Sequence, residues 1–309
     1  MKILVTGGCG NMGVHVVGSL IRQGHQVRVL DLDKEGLKQF TEPGVETVFG
    51  NIADRDVVRC AVDGTDAVIH LAWSFSENFF ELLDIDVKGY RHILDAAIEY
   101  GVKHVINATT GVSYGKPMST PVEETHPHLV EKSRNPDYGL AKLATEELSK
   151  IYAEKHGLCA NNVMIWYAYG NVIGGRNLRN MVKDAIQKGA IEVPAGTGGS
   201  FLQIDDFVNG VMAIISAGVK GELFNLGTVY LTWEDVARLI VEQANPDAKV
   251  VAIPVADWKG GVFLADDWNF STAKAERMLG YRTALSREES IAHLSKALES
   301  CVAGVKAGL

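Results

Sequence analysis

Apolar and polar residues follow two repeating patterns along the first half of the chain. Strand-like segments fall at residues 3–6, 26–31, 47–51, 67–72 and 104–110, and the first of them is a short apolar run typical of a strand buried in a parallel sheet. Apolar residues at helical spacing separate these segments, from Met12 to Ile21 and over residues 57–62, 85–100 and 138–156. This alternation predicts an α/β fold with a doubly wound parallel sheet and helices on both faces.

The pattern loosens after about residue 170. Helices are predicted at residues 180–188, 205–217, 232–244 and 286–298, with short strands and Gly-rich turns between them. We therefore expect residues 1–170 to form the sheet domain and residues 171–309 mainly a smaller α/β lobe, although the chain can cross between them. The junction has no Pro/Gly/Ser-rich linker, so we expect a shared cleft at the carboxyl ends of the strands.

The composition narrows the possible partners. The 309 residues are 47% hydrophobic and 22% charged, as in ordinary globular proteins. The net charge of -8 disfavours nucleic acid and anionic membranes, which bind basic surfaces, and leaves small molecules. No apolar run approaches the roughly 20 residues of a membrane span, and no signal peptide is evident, so we expect a cytoplasmic protein. The four scattered cysteines indicate neither disulfides nor a metal site.

A glycine-rich loop joins the first strand to the first helix. Gly7 permits a sharp turn, Gly10 lets the backbone approach a pyrophosphate, and Gly13 lets the helix pack closely on the strand. Asn11 and Met12 lie at the helix start, where free N–H groups and a partial positive charge favour phosphates. This context of strand, turn and helix predicts a dinucleotide site.

An acidic residue, Asp31, ends the second strand. Its carboxylate can accept hydrogen bonds from both ribose hydroxyls and would repel a 2′-phosphate. The next basic residue is Lys34, so NAD is predicted rather than NADP.

Further cofactor contacts are predicted at the ends of later strands. Asn51 and Ile52 follow the third strand and by position flank the adenine, although Asn51 fits a polar loop residue equally well. Leu71 and Ala72 end the fourth strand on the expected path of the cofactor, and Ala108 lies in the fifth.

A phenol and an ammonium group, those of Tyr138 and Lys142, are four residues apart and share one helix face. An adjacent cation stabilises a phenolate, so Tyr138 can exchange a proton at neutral pH. The strand before this helix ends in Thr109 and Thr110, and a hydroxyl there can hold a substrate oxygen. Thr109 also fits a purely β-favouring role; Thr110 is the better candidate.

These motifs occur together and in order with Gln203-Ile204-Asp205-Asp206 and with residues 221–227 and 271–281. Over nearly the whole chain they resemble the extended short-chain dehydrogenase/reductase family, in its NAD-dependent epimerase/dehydratase branch of nucleotide-sugar 4-epimerases. The resemblance implies a Rossmann-type sheet and a triad in which Tyr138 is the acid/base, Lys142 lowers its pKa and holds the nicotinamide ribose, and Thr110 polarises the reacting oxygen. It also implies a homodimer through the helices at residues 85–100 and 138–156.

Departures from the family pattern narrow the range of reactions and substrates that are expected. Gly111-Val112 stands where the dehydratases carry an Asp-Glu pair, which disfavours dehydration. The loop at residues 198–200 lacks the usual phosphate-clamping arginine, and further on only Lys259 is available. A lysine meets a phosphate as a point charge without the bidentate fork of arginine, which weakens the case for a nucleotide diphosphate unless Arg176 and Arg179 substitute.

The residues that bind the substrate are the least clearly predicted part of the site. After the Tyr/Lys helix, an ungapped match to the family places residues 164–167 at its Arg-Pro-x-Asn segment, whereas a gapped match places Asn171 there. Aromatic residues in this region and before it either line a sugar pocket or belong to the core. The substrate candidates are Trp73, Thr110, Tyr167, Asn171, Arg176 and Lys259.

Two enzyme functions remain open. The first is an NAD-dependent oxidoreductase/epimerase acting on a secondary alcohol of a sugar or nucleotide sugar. The second is a dehydrogenase or reductase of a non-nucleotide sugar, sugar acid or other alcohol, with net NADH turnover. A non-catalytic NAD sensor is a third reading, which the retained pair Tyr138 and Lys142 disfavours.

Overall fold

A computed structural model describes residues 1–308. Seven parallel strands form the main sheet in the order β10-β6-β5-β4-β1-β2-β3, and two smaller sheets have the orders β11-β9-β7 and β12-β8. The predicted Rossmann-type doubly wound sheet is confirmed. The strands are β1 (Lys2–Thr6), β2 (Gln26–Asp31), β3 (Val45–Phe49), β4 (Ala67–His70), β5 (His104–Thr110), β6 (Cys159–Ile165), β7 (Tyr167–Tyr169), β8 (Ala190–Pro194), β9 (Gly198–Gln203), β10 (Leu223–Asn225), β11 (Val229–Thr232) and β12 (Lys249–Ile253).

Helices cover the faces of the main sheet and build the smaller lobe. They are α1 (Gly13–Arg22), α2 (Arg55–Val62), α3 (Phe79–Glu81), α4 (Lys88–Tyr100), α5 (Pro136–His156), α6 (Arg176–Gln187), α7 (Ile204–Ala217), α8 (Trp233–Ala244), α9 (Val262–Ala265), α10 (Ala273–Leu279) and α11 (Arg287–Ala307). Within the described residues no helix combines the length and apolar character of a membrane span.

Several predicted elements have different bounds, among them the strand expected at residues 67–72, which ends at His70, and the helix expected at residues 180–188, which is α6. The strand expected at residues 47–51 is β3, which ends earlier because Gly50 turns away and the Asn51 side chain accepts a hydrogen bond from the Ala53 N–H at 2.9 Å. The helix expected at residues 85–100 begins as a π-helix over Leu82–Val87 before α4. The helix expected at residues 286–298 continues to Ala307, since its last turns pack into the second core.

The chain after residue 170 returns to the main sheet. Strand β10 pairs in parallel with β6, and α7 buries Phe207 and Val208 in the same core as β1 and α1. A second core lies between β9, β11 and the helices α6, α8 and α11, around Trp233 and Leu294. The division at residue 170 stays a prediction, and the chain crosses it in this way.

Candidate functional site

The glycine-rich loop follows β1 and leaves no space for side chains at two of its positions. Gly7 has φ of 71°, and a Cβ there would lie 2.7 Å from the Ala72 Cα. A Cβ on Gly13 would lie 2.2 Å from the Gly7 carbonyl oxygen. No side chain caps the start of α1, which leaves its N-terminus available to a phosphate.

A groove of about 400 Å³ runs along the carboxyl ends of β1, β2 and β4. Asp31 lies at one end, where its Oδ2 accepts a hydrogen bond from the Cys9 N–H at 2.8 Å and its Oδ1 accepts one from the Asp33 N–H at 3.0 Å. The structure brings the following predicted cofactor residues into this groove: Gly7, Gly10, Asp31, Asn51, Ile52, Leu71 and Ala72. An open loop backbone, an acid beside it and apolar walls fit NAD.

The other predicted cofactor residues lie around this groove. Asn11 and Met12 line a larger neighbouring pocket. Gly13 packs under the loop, and the Ala108 carbonyl faces Lys142.

Tyr138 lies against two residues of the groove wall, Trp73 and Phe75. Helix α5 begins two residues earlier with Pro136, and the Asn135 side chain accepts a hydrogen bond from the Tyr138 N–H at 3.2 Å. The phenol ring packs edge-on against Trp73, with centroids 5.6 Å apart, and the Thr110 side chain lies close enough to act on the pKa of Tyr138. The structure therefore brings Thr110 and Tyr138 together.

The charges around this phenol differ from the expectation. Burial raises the pKa of Tyr138 above its usual value of 10. Arg134 is the cation that most opposes this rise in pKa. Asp86 reinforces the rise, and the nearby Thr110 side chain acts against it. The neutral phenol is therefore the resting form at pH 7.

Lys142 is buried one helical turn further along α5. Its Nζ donates a hydrogen bond to the Ala108 carbonyl at 2.9 Å and lies 3.7 Å from the centroid of the Trp73 ring. Burial lowers the pKa of Lys142 from 10.5 to about 7, whereas Asp86 and Glu146 act to raise it. Helical spacing places Lys142 and Tyr138 on one face, but the ammonium contacts Ala108 and Trp73.

Asp86 is a site residue that the sequence analysis missed. It is fully buried in the π-helix, lines the groove, and accepts hydrogen bonds from the Ser74 N–H at 2.8 Å and the Ser74 hydroxyl at 2.6 Å. Burial raises the pKa of its carboxyl group. The available signal was an acidic residue on the apolar face of a predicted helix.

A second pocket, of about 830 Å³, opens on the other side of the loop. Its walls include the aromatic rings of Phe75, Trp166, Tyr167 and Phe263 and the arginines Arg134, Arg176 and Arg179. Trp166 stacks on Phe263, with ring centroids 5.1 Å apart and planes 5° apart. This pocket has the size and the stacking surfaces that a sugar substrate requires.

Only some of the predicted substrate-binding residues line the large pocket. Tyr167 and Arg176 line the large pocket. Trp73 lies instead in the cofactor groove, and Asn171 lines a separate small cavity. Lys259 is exposed and lines none of the cavities described here.

The parallel sheet, the glycine-rich loop and the groove beside Asp31 define a dinucleotide-binding protein of the Rossmann type. The chain belongs to the NAD-dependent epimerase/dehydratase family, whose model matches residues 3–227. A putative UDP-glucose 4-epimerase of Methanocaldococcus jannaschii is 32% identical over 73% of this chain and 76% of its own length. A UDP-N-acetyl-alpha-D-glucosaminuronate decarboxylase of Bacillus cytotoxicus is 28% identical over 82% of this chain and 83% of its own.

Solved structures share the fold. A Thermotoga maritima UDP-glucose 4-epimerase, crystallised with UDP-glucose, superposes with a TM-score of 0.77 at 24% identity, covering 100% of this chain and 99% of that one. A Streptomyces venezuelae dTDP-glucose 4,6-dehydratase, crystallised with NAD, gives 0.77 at 22% identity over 97% of both chains. At these identities the likeness concerns the fold, and the reaction has to be argued from the site.

The buried ammonium makes a testable contribution to stability. The pKa of Lys142 is about 7 in the folded protein and about 10.5 when exposed. Between these values the unfolded chain binds the additional proton, so this group makes folding more favourable as pH rises. Relative to Lys142→Met, the wild type should therefore gain stability between pH 7 and pH 10. Urea unfolding of both proteins without NAD measures this difference, and a difference independent of pH would contradict the assignment.

Proposed function

We propose that this protein oxidises a secondary alcohol of a sugar or nucleotide sugar and then reduces the resulting ketone to the epimer. The carrying observation is that Tyr138 lies close to Thr110 and against residues that form the walls of both cavities. Its ring contacts Trp73 and Phe75, which line the groove, and Phe75 also lines the large pocket. A substrate carbon in the pocket can thus face a cofactor in the groove.

The residues of the groove would hold NAD. Asp31 would accept the ribose hydroxyls, and the backbone of the loop at Gly7 and Gly10 would face the pyrophosphate. When bound, NAD supplies the group that accepts a hydride from the alcohol carbon and returns it. Its positive nicotinamide charge also favours a phenolate nearby.

The proton is handled by the chain itself. Once its phenol has lost its proton to solvent, the Tyr138 phenolate takes the proton of the substrate hydroxyl as the alcohol is oxidised and gives it back as the ketone is reduced. The Thr110 hydroxyl orients the same oxygen and the phenol. Lys142 is fixed by the Ala108 carbonyl and attracted by Asp86, so its charge stays close to the nicotinamide end of the groove.

A nucleotide diphosphate would lie at the start of α6. Arg176 and Arg179 line the pocket there, and among residues 1–308 neither takes part in a salt bridge within 4.0 Å. Two guanidinium forks at a helix N-terminus suit phosphate. They would replace the clamping arginine that is missing from residues 198–200.

Dehydration lacks its acid/base pair here. A Cβ on Gly111 would lie 3.1 Å from the Phe270 ring, so the position normally taken by an acid faces a packed aromatic group. The homodimer through α4 and α5 remains a prediction; Leu140 and Ile151 on α5 are exposed by 44% and 41%, as such an interface requires.

A net dehydrogenase of a non-nucleotide substrate is the second candidate. Lys259 is exposed, so one of the phosphate contacts expected for a nucleotide substrate is unfilled. Incubation with NAD and a panel of free sugars, sugar acids and nucleotide sugars separates the two. Epimerised product without accumulation of reduced cofactor supports our proposal, whereas stoichiometric reduced cofactor supports the dehydrogenase. No turnover of any panel member would contradict both and favour an NAD-sensing protein.

A further inference from the structure

We propose that Arg134 binds a carboxylate carried by the sugar ring of the substrate, so that this protein acts on sugar acids. The inference rests on the proposed function, since it names a substrate class for the same site. Arg134 lies in the loop before α5, four residues before Tyr138.

The Arg134 guanidinium is held in place by an aromatic face. Its Cζ lies 4.2 Å from the centroid of the Phe263 ring. Packing of this kind orients a guanidinium while its N–H donors remain available at the edge of the plane. Arg134 also lines both the small cavity that contains Thr110 and the large pocket that contains Tyr167. The donors therefore lie between the reacting hydroxyl and the body of the pocket.

This cation has no ionic partner within the protein. Among residues 1–308, no hydrogen bond from Arg134 is formed, and no carboxylate lies within 4.0 Å of it. Arg134 is an exposed residue, although packing around its guanidinium lowers the pKa of the group. A ligand carboxylate can therefore reach the guanidinium and supply the bidentate partner that the protein does not.

The charge of the pocket favours an anion as well. No aspartate or glutamate lines the large pocket, whereas three arginines do, although the whole chain has a net charge of -8. Within this group, Arg134 is the arginine whose charge acts on Tyr138. The anion bound there belongs to the part of the substrate nearest the reacting carbon, which is the sugar ring. Arg176 and Arg179 remain for phosphates.

Binding to the NAD-loaded full-length protein tests this assignment directly. Calorimetric titration would compare UDP-glucuronate with UDP-glucose, and free glucuronate with free glucose, in wild type and in Arg134→Met. In at least one of the two pairs, wild type should bind the acid at least about ten-fold more tightly than the neutral sugar, as charge-assisted hydrogen bonds allow. Arg134→Met should remove this preference and leave the neutral sugar within about two-fold of its wild-type affinity.

Two further variants serve as controls. Arg277→Met removes an exposed arginine from α10, outside both cavities, and should keep the full preference. Arg134→Gln, a second neutral variant, replaces Arg134→Met if the latter has a lowered unfolding temperature.

The inference would be overturned if wild type preferred neither acid, or if the preference survived the loss of Arg134. It would also be overturned if Arg134→Met lost equal affinity for UDP-glucuronate and UDP-glucose, because Arg134 would then be a phosphate contact. Turnover of a neutral sugar that depends on Tyr138 would in those cases leave the proposed function intact. Acid-selective binding that depends on Arg134, without turnover of any sugar, would support the inference and contradict the proposed function.

Discussion

Replacement of Tyr138 by phenylalanine is expected to lower kcat by about 10²- to 10⁴-fold, the usual contribution of a positioned acid/base. The ring would still pack against Trp73 and Phe75, so the walls of the groove would stay in place. NAD affinity should therefore remain within about two-fold of wild type. Turnover with the best panel substrate and titration with NAD measure the two quantities separately.

Tyr100→Phe is the matched control for this prediction. Tyr100 ends α4 and lines neither the groove nor the large pocket, so its variant should keep wild-type turnover. If Tyr138→Phe kept more than about a tenth of wild-type kcat, another group would have to carry the proton. Loss of NAD binding in Tyr138→Phe would instead show that the phenol supports the groove.

Gly13→Ala is expected to destabilise the protein by about 1–3 kcal/mol and to weaken NAD binding about ten-fold or more. The added methyl group would lie 2.2 Å from the Gly7 carbonyl oxygen and 2.6 Å from the Gly8 Cα. Both atoms belong to the backbone, so relief requires the loop to move away from α1. That movement would displace the N–H groups that face the pyrophosphate. Urea unfolding and NAD titration measure the two effects.

Gly18→Ala provides a control on the same helix. A Cβ there would meet only the end of the flexible Arg22 side chain, at 3.5 Å, and lies within the regular part of α1. Alanine should stabilise the protein by about 0.4–1 kcal/mol and leave NAD binding unchanged. Equal behaviour of the two variants would contradict the close packing of the loop at Gly13.

The sheet was predictable because its central strands are buried on both faces. Strands β1 and β4 are almost entirely buried and mostly apolar, and short runs of this kind bounded by turn residues are distinctive in sequence. Strand β10 has three residues, and it joins the main sheet only because the chain returns from the smaller lobe. A pairing at that distance along the chain has no local signal.

The candidate site also contains some residues that the sequence predicts and others that it does not. Gly7 and Asp31 lie in one strand-turn-helix-strand unit, so their joint position follows from local sequence. The contact of Trp73 with Lys142 and the burial of Asp86 depend on how the loop after β4 packs on α5. Arg134 acquires its position from Phe263, which is 129 residues away along the chain. Tertiary proximity of this kind cannot be derived from spacing.

The most direct test of the central claim is the origin of the hydrogen at the inverted carbon. The best panel substrate would be converted in heavy water by the wild-type protein with NAD, and the product analysed for deuterium at that carbon. Transfer of a hydride away from the carbon and back predicts epimerised product without deuterium there. Deuterium at the inverted carbon would show that a proton from solvent replaced the original hydrogen, and would contradict the account.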